Sequence, residues 1–174
     1  IENIPTLIDR SVFPGTQGGP LMHIIAAKAV AFFEAEQVSF QNYARDVVSN
    51  AKVLSDTLIT HGFKVVGGGT ENHLILVDMM SSFSIDGKIM EVMMDRVGLT
   101  LNANAIPNDT TSKSVTGGIR LGTAALTTRG MNEGDMETVA EAIKLVLIDA
   151  DEAAVAKAAQ MVNALTEKYP LYQD

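Results

Sequence analysis

The chain has 174 residues with 13 Lys plus Arg against 21 Asp plus Glu, a formal net charge of −8. This excludes nucleic-acid binding through a basic face, which needs a surplus of cations. Hydrophobic residues make up 47% and charged residues 20%, with no Cys, so the composition is that of a globular protein without disulfides, thiolate metal sites or thiol nucleophiles.

The N-terminus, Ile-Glu-Asn-Ile-Pro, has neither a basic nor an apolar leader region, and no apolar run approaches the ~20 residues of a membrane span. A cytoplasmic protein is expected, and a start at Ile rather than Met points to a piece of a longer chain. Residues 1–20 hold three of the five prolines and the turn-forming run Phe13-Pro-Gly-Thr-Gln-Gly-Gly-Pro20. Pro20 suits the first turn of a following helix, where a missing N–H costs nothing. Residues 21–37 are apolar nearly all round, which predicts a largely buried helix.

A second helix is predicted over 39–61, with Phe40, Ala44, Val47, Ala51, Leu54 and Leu58 on one stripe and Gly62 as its C-terminal cap. The period then changes to that of strands, at 63–66 and 73–78, around the glycine turn Gly67-Gly-Gly-Thr70. A helix over 86–97 follows, with Ile89, Val92, Met93 and Val97 as its apolar face, then a strand at 99–101. Residues 102–116 read as a polar loop and 118–123 as a strand. Two helices close the chain, 132–150 with Met136, Ala140, Ile143 and Leu147 inward, and 151–168 with Val155, Ala159, Val162 and Leu165 inward. The order predicts an α+β layer domain over 62–174, a short sheet backed by helices, with 1–61 as helical material joining it to something else. No internal repeat or low-complexity segment interrupts it.

Thr16-Gln-Gly-Gly-Pro20 opening a helix can receive an anion, since glycines let a ligand approach backbone N–H groups closely; the plain alternative is a tight turn. It matches neither a P-loop nor GxGxxG. Arg120, set among small residues in Gly117-Gly-Ile-Arg-Leu-Gly-Thr123, has room for a planar carboxylate, against the alternative of an exposed Arg paired with a surface acid. His23, His61 and His73 have no metal-ligand spacing; His23 reads as a hydrogen-bonded core residue and His61 as a cation at a helix C-terminus. Asn102, Asn104, Asn108 and Asp109 lie in a loop that is either a ligand lid or a long connection. The sequon Asn108-Asp-Thr110 is set aside for want of a secretory signal, and the nine Met read as core filler.

Several motifs carry a resemblance. Val12-Phe-Pro-Gly-Thr-Gln-Gly-Gly-Pro-Leu-Met-His23, Ile25-Ala-Ala-Lys-Ala-Val-Ala31, Gly68-Gly-Thr-Glu-Asn-His-Leu74, Asn104 with Pro107-Asn-Asp109, Gly118-Ile-Arg-Leu-Gly-Thr123 and Thr128-Arg-Gly130 closely resemble serine hydroxymethyltransferase, a likeness that extends through Tyr169-Pro170. The resemblance implies a pyridoxal 5'-phosphate enzyme of the aspartate-aminotransferase-like fold (fold type I), a homodimer or tetramer that interconverts serine and glycine with tetrahydrofolate as co-substrate. It implies that Gly18 and Gly19 bind the cofactor phosphate across a subunit interface, that Arg120 binds the amino-acid carboxylate and that Asn104 binds the folate pterin. The family's Schiff-base lysine lies in a Thr-His-Lys-Thr segment that is not in this sequence; Lys28, Lys52, Lys64, Lys88 and Lys113 stand in other contexts. On this reading no catalytic residue of that kind lies in the chain. It is then the C-terminal part of the enzyme, with 1–61 ending the large domain, 62–174 forming the small domain and the rest of the large domain upstream. The chain alone is expected to be inactive. Two other readings are a standalone binding or interaction domain derived from the enzyme, and another pyridoxal-phosphate enzyme of the same fold.

Overall fold

The structure, a computed structural model, describes residues 3–112 and 114–171; Lys113 lies outside them. The chain divides into two compact units, Ile1–Gln41 and Asn42–Asp174.

The first unit contains α1 (Ile4–Arg10), helical turns over Ser11–Thr16 broken at Phe13, and α2 (Met22–Ala35). Neither α1 nor α2 has a buried residue. This corrects the expectation that 21–37 is largely buried. A helix apolar on every side needs partners on every side, and among the described residues this unit supplies α1, one irregular turn and the first turn of the next helix. Phe32 and Phe33 are 69% and 66% exposed. His23 is exposed and not a core residue. Pro20 stands outside α2, because Leu21 takes the N-cap position with extended backbone.

α3 (Val38–Thr60) runs into the second unit. Its buried stripe is Val47, Ala51, Leu54 and Leu58, joined by Asn50 and Ser55, while Phe40 and Ala44 are exposed. Gly62 caps the helix at φ 91°, donating to Ile59 O while Phe63 N donates to Leu58 O, the αL closure that glycine adopts without strain.

The described strands form one four-stranded antiparallel sheet in the order β1 (Lys64–Val65), β2 (Leu74–Asp78), β4 (Gly118–Gly122), β3 (Asn102–Asn104). The edge strand β3 replaces the predicted strand at 99–101. Asn-Ala-Asn carries no strand-forming side chains, and its backbone pairing with β4 defines it instead. Val65, Ile75, Val77, Ile119 and Leu121 alternate onto one buried face, and the helices cover that face as part of one apolar cluster.

Three short or displaced features depend on tertiary contacts. α4 (Met79–Phe83) and α6 (Ala124–Thr128) were not predicted. α5 (Gly87–Asp95) starts at the Asp86 cap as expected, but it buries Met90 and Met94, with Val97 just beyond its end, while Ile89 and Val92 are about half exposed. The face is rotated by about one residue because apolar side chains occupy adjacent positions and periodicity alone cannot choose between them. α7 (Glu133–Lys144) continues through Leu145–Asp149 and buries the predicted Met136, Ala140, Ile143 and Leu147. α8 (Glu152–Lys168) buries Val162 and Leu165 as read, but Ala154 and Ala158 in place of Val155 and Ala159. No described helix is long and apolar enough to cross a membrane.

Candidate functional site

The second face of the sheet is exposed at Leu74, Asn102 and Arg120 and buried at Asp78 and Gly118. Antiparallel register sets Leu76, Arg120 and Asn102 side by side across β2, β4 and β3. Side chains alternate along a strand, so Asn104 lies on the same face as Asn102, opposite Gly118. The structure thus brings Arg120 and Asn104 onto adjacent strands of one face. Arg120 is exposed, and its Nη2 donates to Asn102 Oδ1 at 3.3 Å. The alternative of a surface ion pair is not realised: among the described residues no carboxylate lies within salt-bridge distance of Arg120. Asn104 spends one amide proton on Ala105 O at 2.7 Å, leaving its amide oxygen and second proton for another partner.

Two anchors hold this face in place. Asp109 accepts from Thr111 Oγ1 at 2.7 Å, Gly117 N at 2.8 Å, Thr111 N at 2.9 Å and Ile106 N at 3.3 Å. The Thr111 hydroxyl foremost, then the Gly117 and Thr111 amides, hold the Asp109 carboxyl down at about 2. The polar stretch after β3 is therefore a turn closed on one carboxylate, which delivers the chain into β4. The signal for it was the Asp-x-Thr spacing of a side-chain turn. The second anchor is close backbone approach: a Cβ on Gly118 would lie 2.4 Å from Ile106 Cγ2 and 2.5 Å from Val77 O. Only glycine fits there, and Arg120 follows two residues later.

Asp78 lies on the same face of β2, but it is buried and committed elsewhere. It caps α4 by accepting from Ser81 N at 2.8 Å and faces Lys64 Nζ at 3.5 Å. Burial opposes ionisation, but the Ser81 and Lys64 hydrogen bonds outweigh it and lower the pKa.

Gly18 and Gly19 belong to the first unit and Arg120 and Asn104 to the second. Gly18 and Gly19 are exposed, a Cβ on either would meet nothing within 4 Å, and their amides have no acceptor among the described residues. α2 begins three residues after Gly19 with no side-chain cap. Open amide donors next to an uncapped helix start fit a phosphate. His61, one residue past the end of α3, places Nε2 3.4 Å from Glu141 Oε2.

The family model described as serine hydroxymethyltransferase matches residues 1–143. The chain belongs to the serine hydroxymethyltransferase family. The match takes in the glycine run, both asparagines, the Asp109 turn and Arg120, and it ends within α7. α8 and Tyr169 lie beyond it. The pairing of Asn102 with Arg120 comes from strand register and leaves no trace in spacing along the chain.

Proposed function

We propose that these residues are the C-terminal part of a pyridoxal-phosphate-dependent serine hydroxymethyltransferase of fold type I. Residues 1–61 complete its large domain and 62–174 form its small domain. The observation that carries the reading is an exposed Arg120 guanidinium with no acidic partner among the described residues, in a chain of this family. A planar fork of N–H donors matches the α-carboxylate of serine or glycine with two parallel hydrogen bonds. Fixing that carboxylate fixes the rotation about Cα and thereby which bond is presented for cleavage. Pyridoxal phosphate, when bound, supplies the electron sink for the pair left on Cα. Gly18 and Gly19 hold its phosphate through backbone N–H groups, in an assembly of two or four subunits. Asn104 offers its amide oxygen and remaining proton to the pterin of tetrahydrofolate.

These 174 residues contain no Thr-His-Lys-Thr segment, so on their own they give no activity. Adding pyridoxal phosphate to the isolated chain is expected to produce no visible band that survives dialysis and is discharged by glycine; such a band overturns this part. In the full-length enzyme, Arg120→Ala is expected to weaken glycine binding ~100-fold with little change in cofactor affinity, the scale of losing a charged bidentate contact. Equal loss of both refutes the carboxylate role. Gly19→Val is expected to weaken cofactor binding instead, because its side chain would crowd a phosphate at the Gly19 amide, while nothing in the chain itself within 4 Å opposes a Cβ there.

A further inference from the structure

Arg120 has a long, flexible stem, and a guanidinium free in water loses rotamer freedom when it captures a ligand. Something must hold it without consuming its charge. Leu76 flanks it on β2 and Asn102 on β3, directly opposite in register. The Asn102 Oδ1 contact at 3.3 Å is its side-chain hydrogen bond among the described residues. The nearest carboxylate in register on β2, Asp78, is held by Ser81 and Lys64. An amide oxygen accepts one N–H and leaves the cation un-neutralised, with the other donors of the fork available. A carboxylate at the same position would pair with the guanidinium in substrate's place.

Resting on the carboxylate-binding reading of Arg120, we propose that Asn102 is a positioning residue, a neutral tether that orients the Arg120 guanidinium for the amino-acid carboxylate while leaving its charge intact. The discriminating change is isosteric. Asn102→Asp keeps the shape and the acceptor but adds a competing negative charge. Asn102→Ala removes the tether. Asn102 is exposed on the edge strand β3, so neither change disturbs the core.

The experiment is equilibrium binding of glycine and, separately, of pyridoxal phosphate to the full-length protein, for Asn102→Ala, Asn102→Asp, Asn102→Gln, Arg120→Ala and the Asn102→Asp/Arg120→Ala double variant. Asn102→Ala is expected to raise the glycine Kd ~3-fold and Asn102→Asp at least ~10-fold, with cofactor Kd unchanged. Asn102→Gln, which keeps a neutral amide oxygen, stays closer to the unaltered protein than Asn102→Asp. In the Arg120→Ala background Asn102→Asp adds nothing further. If Arg120→Ala weakens glycine but Asn102→Asp does not, the tether is wrong and the carboxylate role stands. Loss of glycine and cofactor affinity together, or an Asn102→Asp loss that persists without Arg120, also overturns the tether. If Arg120→Ala leaves glycine binding unchanged, the carboxylate role itself falls and the tether with it.

Discussion

Tyr169 donates its phenolic hydroxyl to Asp135 Oδ2 at 2.8 Å, and the same carboxylate closes the capping box of α7 by accepting from Asn132 N at 2.9 Å. Lys168 Nζ reaches the other oxygen at 3.1 Å. From the far side, Arg129 donates through Nε to Tyr169 O at 3.0 Å. The start of α7 and the end of α8 are therefore fastened at one point. Burial opposes the charge on Asp135, but the Asn132 amide, Tyr169 and Lys168 outweigh it and lower the pKa.

Removing the hydroxyl tests the fastening. Tyr169→Phe keeps the ring against Gly130 and loses a hydrogen bond to a charged acceptor, so unfolding stability is expected to fall by about 1–2 kcal/mol. Urea denaturation measures it. An unchanged midpoint would show that the end of α8 contributes nothing through this contact.

The Asp109 turn makes a pH prediction. Its folded pKa of about 2 is below the ordinary 3.8, so the stabilisation is full above the ordinary value and is lost as pH falls from about 4 through about 2. Hydrogen exchange of the Thr111 and Gly117 amides should accelerate relative to core amides in that window. Asp109→Asn should open the turn already at neutral pH, because one of its two side-chain atoms can no longer accept. Protection independent of pH down to 2 would contradict this.

How much of this was legible in the sequence follows from where each element gets its definition. The stripe through α7 and the turn after it was readable because Met136, Ala140, Ile143 and Leu147 recur at spacings of four and three. α5 was readable as a helix but not in its facing, since Ile89-Met90 and Val92-Met93-Met94 give every rotation an apolar candidate. β3 exists by pairing with β4, and the Arg120–Asn102 contact exists by register; neither is a property of local sequence. Arg120 itself stood out because small residues surround it, and the same glycines place β4 against its neighbours.

Ser55 is fully buried on α3, and its hydroxyl has no hydrogen-bond partner among the described residues. Its neighbours on the stripe, Leu54 and Leu58, are 1% and 0% exposed, and burying each contributes about 2 kcal/mol. An unsatisfied hydroxyl costs about 1–3 kcal/mol, so the leucines outweigh it. Ser55→Ala is then expected to be neutral or to stabilise by about 1 kcal/mol. A loss above that size in thermal unfolding would mean the hydroxyl has a partner after all.

The exposed apolar residues of the first unit predict association. Met22, Phe32 and Phe33 on α2 are 67%, 69% and 66% exposed, with Leu7 and Ile8 on α1 above half, more apolar surface than soluble monomers ordinarily present. Sedimentation of the isolated chain should give an average mass that rises with concentration. Phe32→Ser with Phe33→Ser should lower it. A monomer at all concentrations would rule this out.

Gly87 sets two effects against each other. It is the first residue of α5, where alanine gains up to about 1 kcal/mol of helix propensity over glycine. A Cβ there, however, would lie 2.0 Å from Gly118 O and 2.7 Å from Thr116 Oγ1, and Gly87 N donates to Thr116 O at 2.9 Å. The obstructing oxygen is backbone and cannot swing aside, so α5 and the start of β4 must move apart at a cost of about 1–3 kcal/mol. The steric effect exceeds the propensity gain, and Gly87→Ala is expected to destabilise the second unit. In the full-length enzyme it should also weaken glycine binding, because the displaced strand carries Arg120. Stabilisation by Gly87→Ala would show that the contact between α5 and the start of β4 is looser than these distances.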